Sequence, residues 1–138
     1  MSDLYTHLVI IPTLALEKTL MRTFGAFYEH SNPDTLFVLS VNPHEMEQAK
    51  KNIEALKGLI GAQALLTPKE NVKIEYVWSD EPIGFAAAVN KGYEFAKENY
   101  HIPKYITIAN DDLHVVPGWM DSLSSSLDAK EIYTQAML

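Results

Sequence analysis

The sequence contains no cysteine, so neither a disulfide framework nor a thiolate metal site is open to it. It also lacks any apolar run near the ~20 residues that a bilayer span requires; stretches such as Leu8 to Ile11 stop far short. Met1 to Tyr5 shows no basic start of a secretory signal, so the expectation is a protein neither inserted nor exported, cytoplasmic by default. Basic residues are outnumbered: 11 Lys and Arg stand against 18 Asp and Glu, a formal net charge of -7. That balance argues against nucleic acid or anionic membrane as partner, since both draw affinity from clustered cations on phosphate. A small anionic ligand stays compatible with it, provided backbone amides or a bound cation hold the phosphate.

What is present is the balance of a globular chain: 138 residues, 47% hydrophobic and 21% charged. That length suits one domain over residues 1–138, burying roughly two thirds of the surface of its unfolded form. No repeat, linker or low-complexity segment divides it, and the one shift in composition is the serine-rich SLSSSL near the end.

Periodicity orders the chain. YTHLVIIPT at 5–13 and TLFVLSV at 35–41 are continuous apolar runs of the kind that form buried parallel strands. VKIEYVW at 72–78 alternates like a half-buried strand, and YITIA at 105–109 supplies a fourth. Between them, Leu16, Leu20, Met21, Phe24 and Phe27 form a helical stripe within 14–30. EMEQAKKNIEALKGLIG at 45–61 and FAAAVNKGYEFAKENY at 85–100 have helical composition, and a last helix should begin near Pro117. Strict β-α alternation predicts an open parallel sheet between helix layers, with ligands at the carboxyl ends of the strands. Pro12, Asn42, Asp80 and Asn110 fall at those ends.

Asn110, Asp111 and Asp112 follow the fourth strand directly. Two adjacent charges at the end of a buried strand call for water, amide donors or a cation. All-oxygen ligands of this type suit Mg²⁺ or Mn²⁺, ions that commonly bring substrate phosphates as further ligands. Taken alone, the three residues are read more simply as turn formers; their neighbours favour the cation.

Those neighbours are IGFAAAVNKG at 83–92, ANDDLHVVPGW at 109–119 and the opening strand ending in IPT. Together they resemble the donor-binding half of family 2 glycosyltransferases, whose GT-A fold is a Rossmann-like α/β/α sandwich with a mostly parallel sheet, here shortened at its C-terminal side. Gly84, Phe85, Asn90 and Gly92 match the family's Gly-Phe, small residues and Asn-x-Gly. With Pro117-Gly118-Trp119 as the reference, the resemblance makes Asp112 the aspartate that binds Mn²⁺ or Mg²⁺ and so clamps the two phosphates of a nucleotide sugar. It places Asn110 at the first acidic position, near the ribose or a metal-bound water, and Asp111 at the variable middle one. It also implies that Pro12 and Thr13 approach base and ribose, and that Asn42 stands for the uracil-contacting acid. The family's Asp-Asn-Gly-Ser after strand two is replaced here by SVNPHE, which leaves base selection open.

The side chains have readings of their own. Gly84 permits close backbone approach or simply makes a turn, and Asn90 offers an amide to phosphate, sugar hydroxyl or local backbone. Phe85 is expected to pack in the core rather than to stack on a base. His114 lies two residues beyond Asp112; it faces the ion if strand geometry continues, and it is a surface histidine if a turn intervenes. Trp78 and Trp119 are expected to pack, and Asp121 to be solvated.

Inverting members of the family hold a general base and acceptor cleft in a second half, for which Leu113 to Leu138 is too short. The expectation is a metal-dependent hexosyltransferase using UDP-glucose or UDP-galactose with an unknown acceptor and no assigned catalytic base. The alternatives are a silent nucleotide-sugar-binding module completed by another chain, a piece of a longer enzyme, or an α/β phosphate-binding protein of phosphatase or receiver type. A sheet cut short after its metal strand should expose apolar surface and favour a homo-oligomer, with Leu127, Ile132, Tyr133, Ala136 and Leu138 as contributors.

Overall fold

The computed structural model describes residues 4–128. Its elements alternate: β1 (His7–Thr13), α1 (Glu17–Glu29), β2 (Thr35–Val41), α2 (Met46–Leu66), β3 (Val72–Trp78), α3 (Gly84–Asn99), β4 (Tyr105–Ile108) and α4 (Trp119–Asp128). The sheet has the order β3-β2-β1-β4, and every pairing is parallel. This is a Rossmann-like α/β/α sandwich. The tail residues Ile132, Tyr133, Ala136 and Leu138 lie outside the described residues, whereas Leu127 is exposed at the end of α4.

The apolar runs of β1 and β2 occupy the sheet centre, where both faces are covered and every residue is buried. On one face Val9, Ile11, Phe37 and Leu39 meet Leu20, Phe24 and Phe27 of α1, Ile53 and Leu56 of α2, and Trp119 and Met120 of α4. On the other, Leu8, Ile10, Leu36 and Val38 meet Val89 and Ala96 of α3. The α3 helix lies close to the sheet because Gly92 has no side chain: a Cβ there would stand 3.0 Å from Ile10 and 3.4 Å from Val38.

Most element boundaries shift from the sequence reading by a residue or two, and three shifts are instructive. α1 starts at Glu17, because Ala15 takes a positive φ of 60° and Leu16 stays extended; Leu16 is therefore exposed rather than part of the stripe. α2 runs past Gly61 to Leu66, since that glycine sits inside regular helix and termination waits for Thr67-Pro68. β4 closes at Ile108, one residue early. Among the described residues no helix is long and apolar enough to cross a membrane.

Candidate functional site

Two chain directions meet between β1 and β4. From β1 the chain moves through α1 and α2 to β2 and β3, and α3 then returns it across the opposite face to β4. Ligand crevices in such sheets open at the carboxyl ends of the two strands where the direction reverses. A cleft of ≈ 330 Å³ opens there, lined by Pro12, Thr13 and Leu14 after β1, Asn42 after β2, Gly84, Phe85 and Ala88 of α3, and Asn110, Asp111 and Asp112 after β4. Its volume falls at the lower end of the range of about 300–1,000 Å³ usual for small-molecule sites.

The acidic corner is built from β1 as much as from β4. Thr13 is buried and donates its hydroxyl to Asp111 Oδ2 at 2.5 Å, while Thr13 Oγ1 itself accepts the Ala15 N–H at 2.9 Å. This relay fixes the Asp111 carboxylate at the β1–β4 junction and secures the strained Ala15. Burial raises the Asp111 pKa above the usual carboxylate value; the Thr13 hydrogen bond opposes the shift and the neighbouring Asp112 adds to it. Asp112 and Asn110 are exposed toward the cleft, and among the described residues no lining residue is basic.

Asn42 has a different task from the one its position suggests. Its side-chain NH₂ donates to Glu81 O at 2.7 Å and to Ser79 O at 3.4 Å, and its Oδ1 accepts from Ile83 N–H at 3.0 Å. The amide is thus committed to the 79–83 segment that delivers the chain to α3, and Asn42 positions that segment instead of offering a free group to a base. Lys91 adds a second tie, donating to Trp78 O at 2.6 Å and Ser79 Oγ at 2.9 Å.

Phe85 corrects the expectation of core packing. It is 57% exposed, because the first turn of α3 overhangs the strand ends and the ring projects over the cleft instead of onto the sheet. Gly84, with φ of 79°, begins this turn, and no side chain caps it. Asn90 is not brought to the cleft: Ala88 and Gly92 define the sheet-facing side of α3, and Asn90, two residues from each, points into solvent. His114 is likewise absent from the cleft. β4 ends at Ile108 and Asp111–Asp112 form a turn, so the alternation that would align His114 with Asp112 is broken.

Leu14 and Ala88 line the cleft without having been singled out; their only sequence signal is position, one just beyond a strand end and the other one turn into a helix. Trp119 packs edge-on to Phe27 as expected, and Asp121 accepts from Asn32 Nδ2 at 2.8 Å, away from the cleft.

Among the described residues no group of three or more His, Asp or Glu side chains is placed to hold a metal ion. The donors present, two adjacent carboxylates with an amide beside them, suit a hard divalent cation that keeps water and takes phosphate oxygens as its other ligands. Comparison with family models and with curated proteins returns no match to this chain.

Proposed function

We propose that this cleft binds a nucleotide sugar, UDP-glucose or UDP-galactose in preference, together with Mn²⁺ or Mg²⁺, and that the chain is a metal-dependent hexosyltransferase with an acceptor still to be identified. The observation that carries the reading is the exposed Phe85 ring standing across one cleft from the Asp111–Asp112 pair, at the β1–β4 reversal. An aromatic face suits a base, since stacking is worth about 1–3 kcal/mol and tolerates any π-system. The uncapped amides at the start of α3 suit phosphate oxygens.

A diphosphate entering a cleft with two carboxylates and, among the described residues, no basic side chain calls for a cation between them, and that is the support for the metal. When bound, the ion would neutralise charge developing on the departing diphosphate. The protein's own contributions are positional. Asp111 and Asp112 would hold the ion, Thr13 fixes Asp111, and Asn42 with Lys91 fixes the segment that presents Gly84 and Phe85. Asn110, exposed beside them in the cleft, would reach a ribose or a metal-bound water.

A second reading has its own observation: among the described residues no acid or histidine besides Asp111 and Asp112 lines the cleft, so none of them offers a separate general base. A module that binds the donor and relies on a partner chain for transfer fits that fact. Turnover distinguishes the two. UDP release from UDP-glucose that requires Mn²⁺, and that disappears with EDTA and in Asp112→Ala, is the expected result for a transferase. Metal-dependent binding without release selects the module, and the absence of both for every nucleotide sugar tested overturns the proposal.

A further inference from the structure

The two edges of the sheet are finished differently. On the α3 face the strand registers form two rows, Lys73–Leu36–Leu8–Ile106 and Glu75–Val38–Ile10–Ile108. The middle pairs are buried beneath α3. At the β3 edge the rows end in Lys73 and Glu75, an ion pair at 4.0 Å, the kind of charge that keeps an edge from pairing with other chains. At the β4 edge they end in Ile106 and Ile108, 40% and 46% exposed. The backbone there is also free to pair. Tyr105 N–H donates to Thr6 O and Ala109 N–H to Ile10 O, so the odd-numbered amides of β4 face β1 and those of Ile106 and Ile108 face outward. Among the described residues no strand lies beyond β4.

We infer that the β4 edge of a second copy occupies this position, antiparallel about a twofold axis through Thr107, joining the two sheets into one and bringing Lys104 of each copy to the mouth of the other's cleft. Outward-facing residues exchange hydrogen bonds in such a pair, and with the axis at Thr107 each Ile106 lies opposite the partner's Ile108. Four isoleucines then cover one another on the face that α3 leaves open. A shift of two residues in either direction breaks this matching by placing one isoleucine opposite Lys104 or Asn110.

Charge favours the same arrangement. β4 is preceded by Lys104, whose side chain is 70% exposed and whose ammonium lies 3.4 Å from Asp128 Oδ1 of its own copy, a solvent-exposed pair that a second copy can share, and is followed by Asn110, Asp111 and Asp112. Antiparallel pairing sets the basic start of each strand beside the acidic end of the other, and brings a cation from the second copy to a cleft that has no basic lining among the described residues.

A parallel fifth strand reached through α4 is the poorer occupant. Asp128, the last described residue of α4, accepts from Tyr105 Oη at 2.5 Å, beside the beginning of β4. The step from β3 to β4 crosses on the α3 face, and a further step in that direction needs its helix on the same face. α4 packs on the opposite one.

The absence of cysteine makes the register directly testable. Thr107→Cys would face its own copy as a non-hydrogen-bonded pair, with Cα atoms about 4.5 Å apart and within disulfide reach. Ile108→Cys would face Ile106, and its two copies would stand too far apart to join. Mild oxidation of the full-length variants should therefore give a covalent dimer for Thr107→Cys and none for Ile108→Cys, read on a non-reducing gel. Light scattering of the wild type over about 1–100 µM, a span chosen to bracket micromolar association, should show a dimer. Ile106→Pro, which removes only an outward N–H, should be monomeric with its circular dichroism spectrum unchanged; Ile108→Lys serves the same purpose if the proline variant fails to fold. Lys104→Glu should weaken association at least tenfold. A wild type that stays monomeric, or a dimer that survives both edge variants, overturns the shared sheet. A dimer lost in Ile106→Pro but indifferent to Lys104→Glu overturns the contribution of Lys104.

Discussion

Truncating Asn42 to alanine separates two accounts of the residue after β2. A base-reading amide would leave the fold intact when removed and change only the choice of nucleotide. A bracket would show first in stability. The bonds to Glu81 O at 2.7 Å and from Ile83 N–H at 3.0 Å are well formed, and the one to Ser79 O at 3.4 Å is weak. At a net value of about 1 kcal/mol each, the two good bonds sum to about 2 kcal/mol for this half-buried side chain. A chain of this length loses about 4 °C of melting temperature per kcal/mol, so Asn42→Ala should melt about 8 °C lower. Asn42→Asp should do no better, because it keeps the acceptor for Ile83 N–H but sets a carboxylate against the carbonyls of Ser79 and Glu81. Urea unfolding measures the loss, and hydrogen exchange at the Ile83 amide localises it: that amide should exchange faster in Asn42→Ala while β1 and β2 keep their protection. Stability within about 0.5 kcal/mol of wild type, combined with altered nucleotide preference, would refute the bracket.

Gly92→Ala should destabilise by about 1 kcal/mol, the strain of forcing a Cβ against fully buried Ile10 and Val38 outweighing the helix propensity gained; Gly58→Ala, on an exposed face of α2 where the new Cβ meets nothing, should stabilise by a similar amount. Phe85→Ala should leave chemical denaturation unchanged within about 0.5 kcal/mol yet weaken UDP binding about tenfold by calorimetry, whereas a core phenylalanine would do the reverse. Asp111→Asn should raise the melting temperature of the metal-free protein at neutral pH, since a carboxyl whose pKa is raised by burial opposes folding when ionised. His7 is buried, stacks on Tyr105 and bonds Ser124; burial lowers its pKa from 6.5, with Asp121 opposing the shift. Its folded-state pKa lies below the unfolded value, so its contribution is fully present above pH 6.5 and is lost as pH falls through the folded value. Thermal melts from about pH 8 to about pH 5 should therefore fall less steeply in His7→Phe than in wild type.

The sheet and its strand ends were legible because the residues concerned answer to local rules. TLFVLSV and VKIEYVW are bounded by turn residues and matched β2 and β3 end to end. Gly61 misled because a glycine late in a helix stops it only when the backbone there turns left-handed, and α2 does not turn. At the site, strand-end position pointed to Pro12, Asn42, Asp80 and Asn110, and of these Asp80 does not line the cleft. The burden of Asn42 was hidden because its three partners lie in a segment some forty residues on, and no local pattern encodes that approach. Phe85 was hidden for a related reason: whether the first-turn phenylalanine of α3 meets sheet or solvent depends on how far the helix overhangs the strands, and packing at Gly92 helps set how closely α3 lies on the sheet. His114 is a surface histidine because a two-residue turn follows β4, the alternative its position left open.

The central claim is that the cleft between β1 and β4 takes a uridine diphosphate only together with a divalent ion held at Asp111 and Asp112. Calorimetric titration of UDP into the full chain, with Mn²⁺ and then with EDTA, measures this directly. The account predicts saturable one-to-one binding that needs Mn²⁺ and disappears in Asp112→Ala; equal affinity in EDTA, or no heat under either condition, would contradict it.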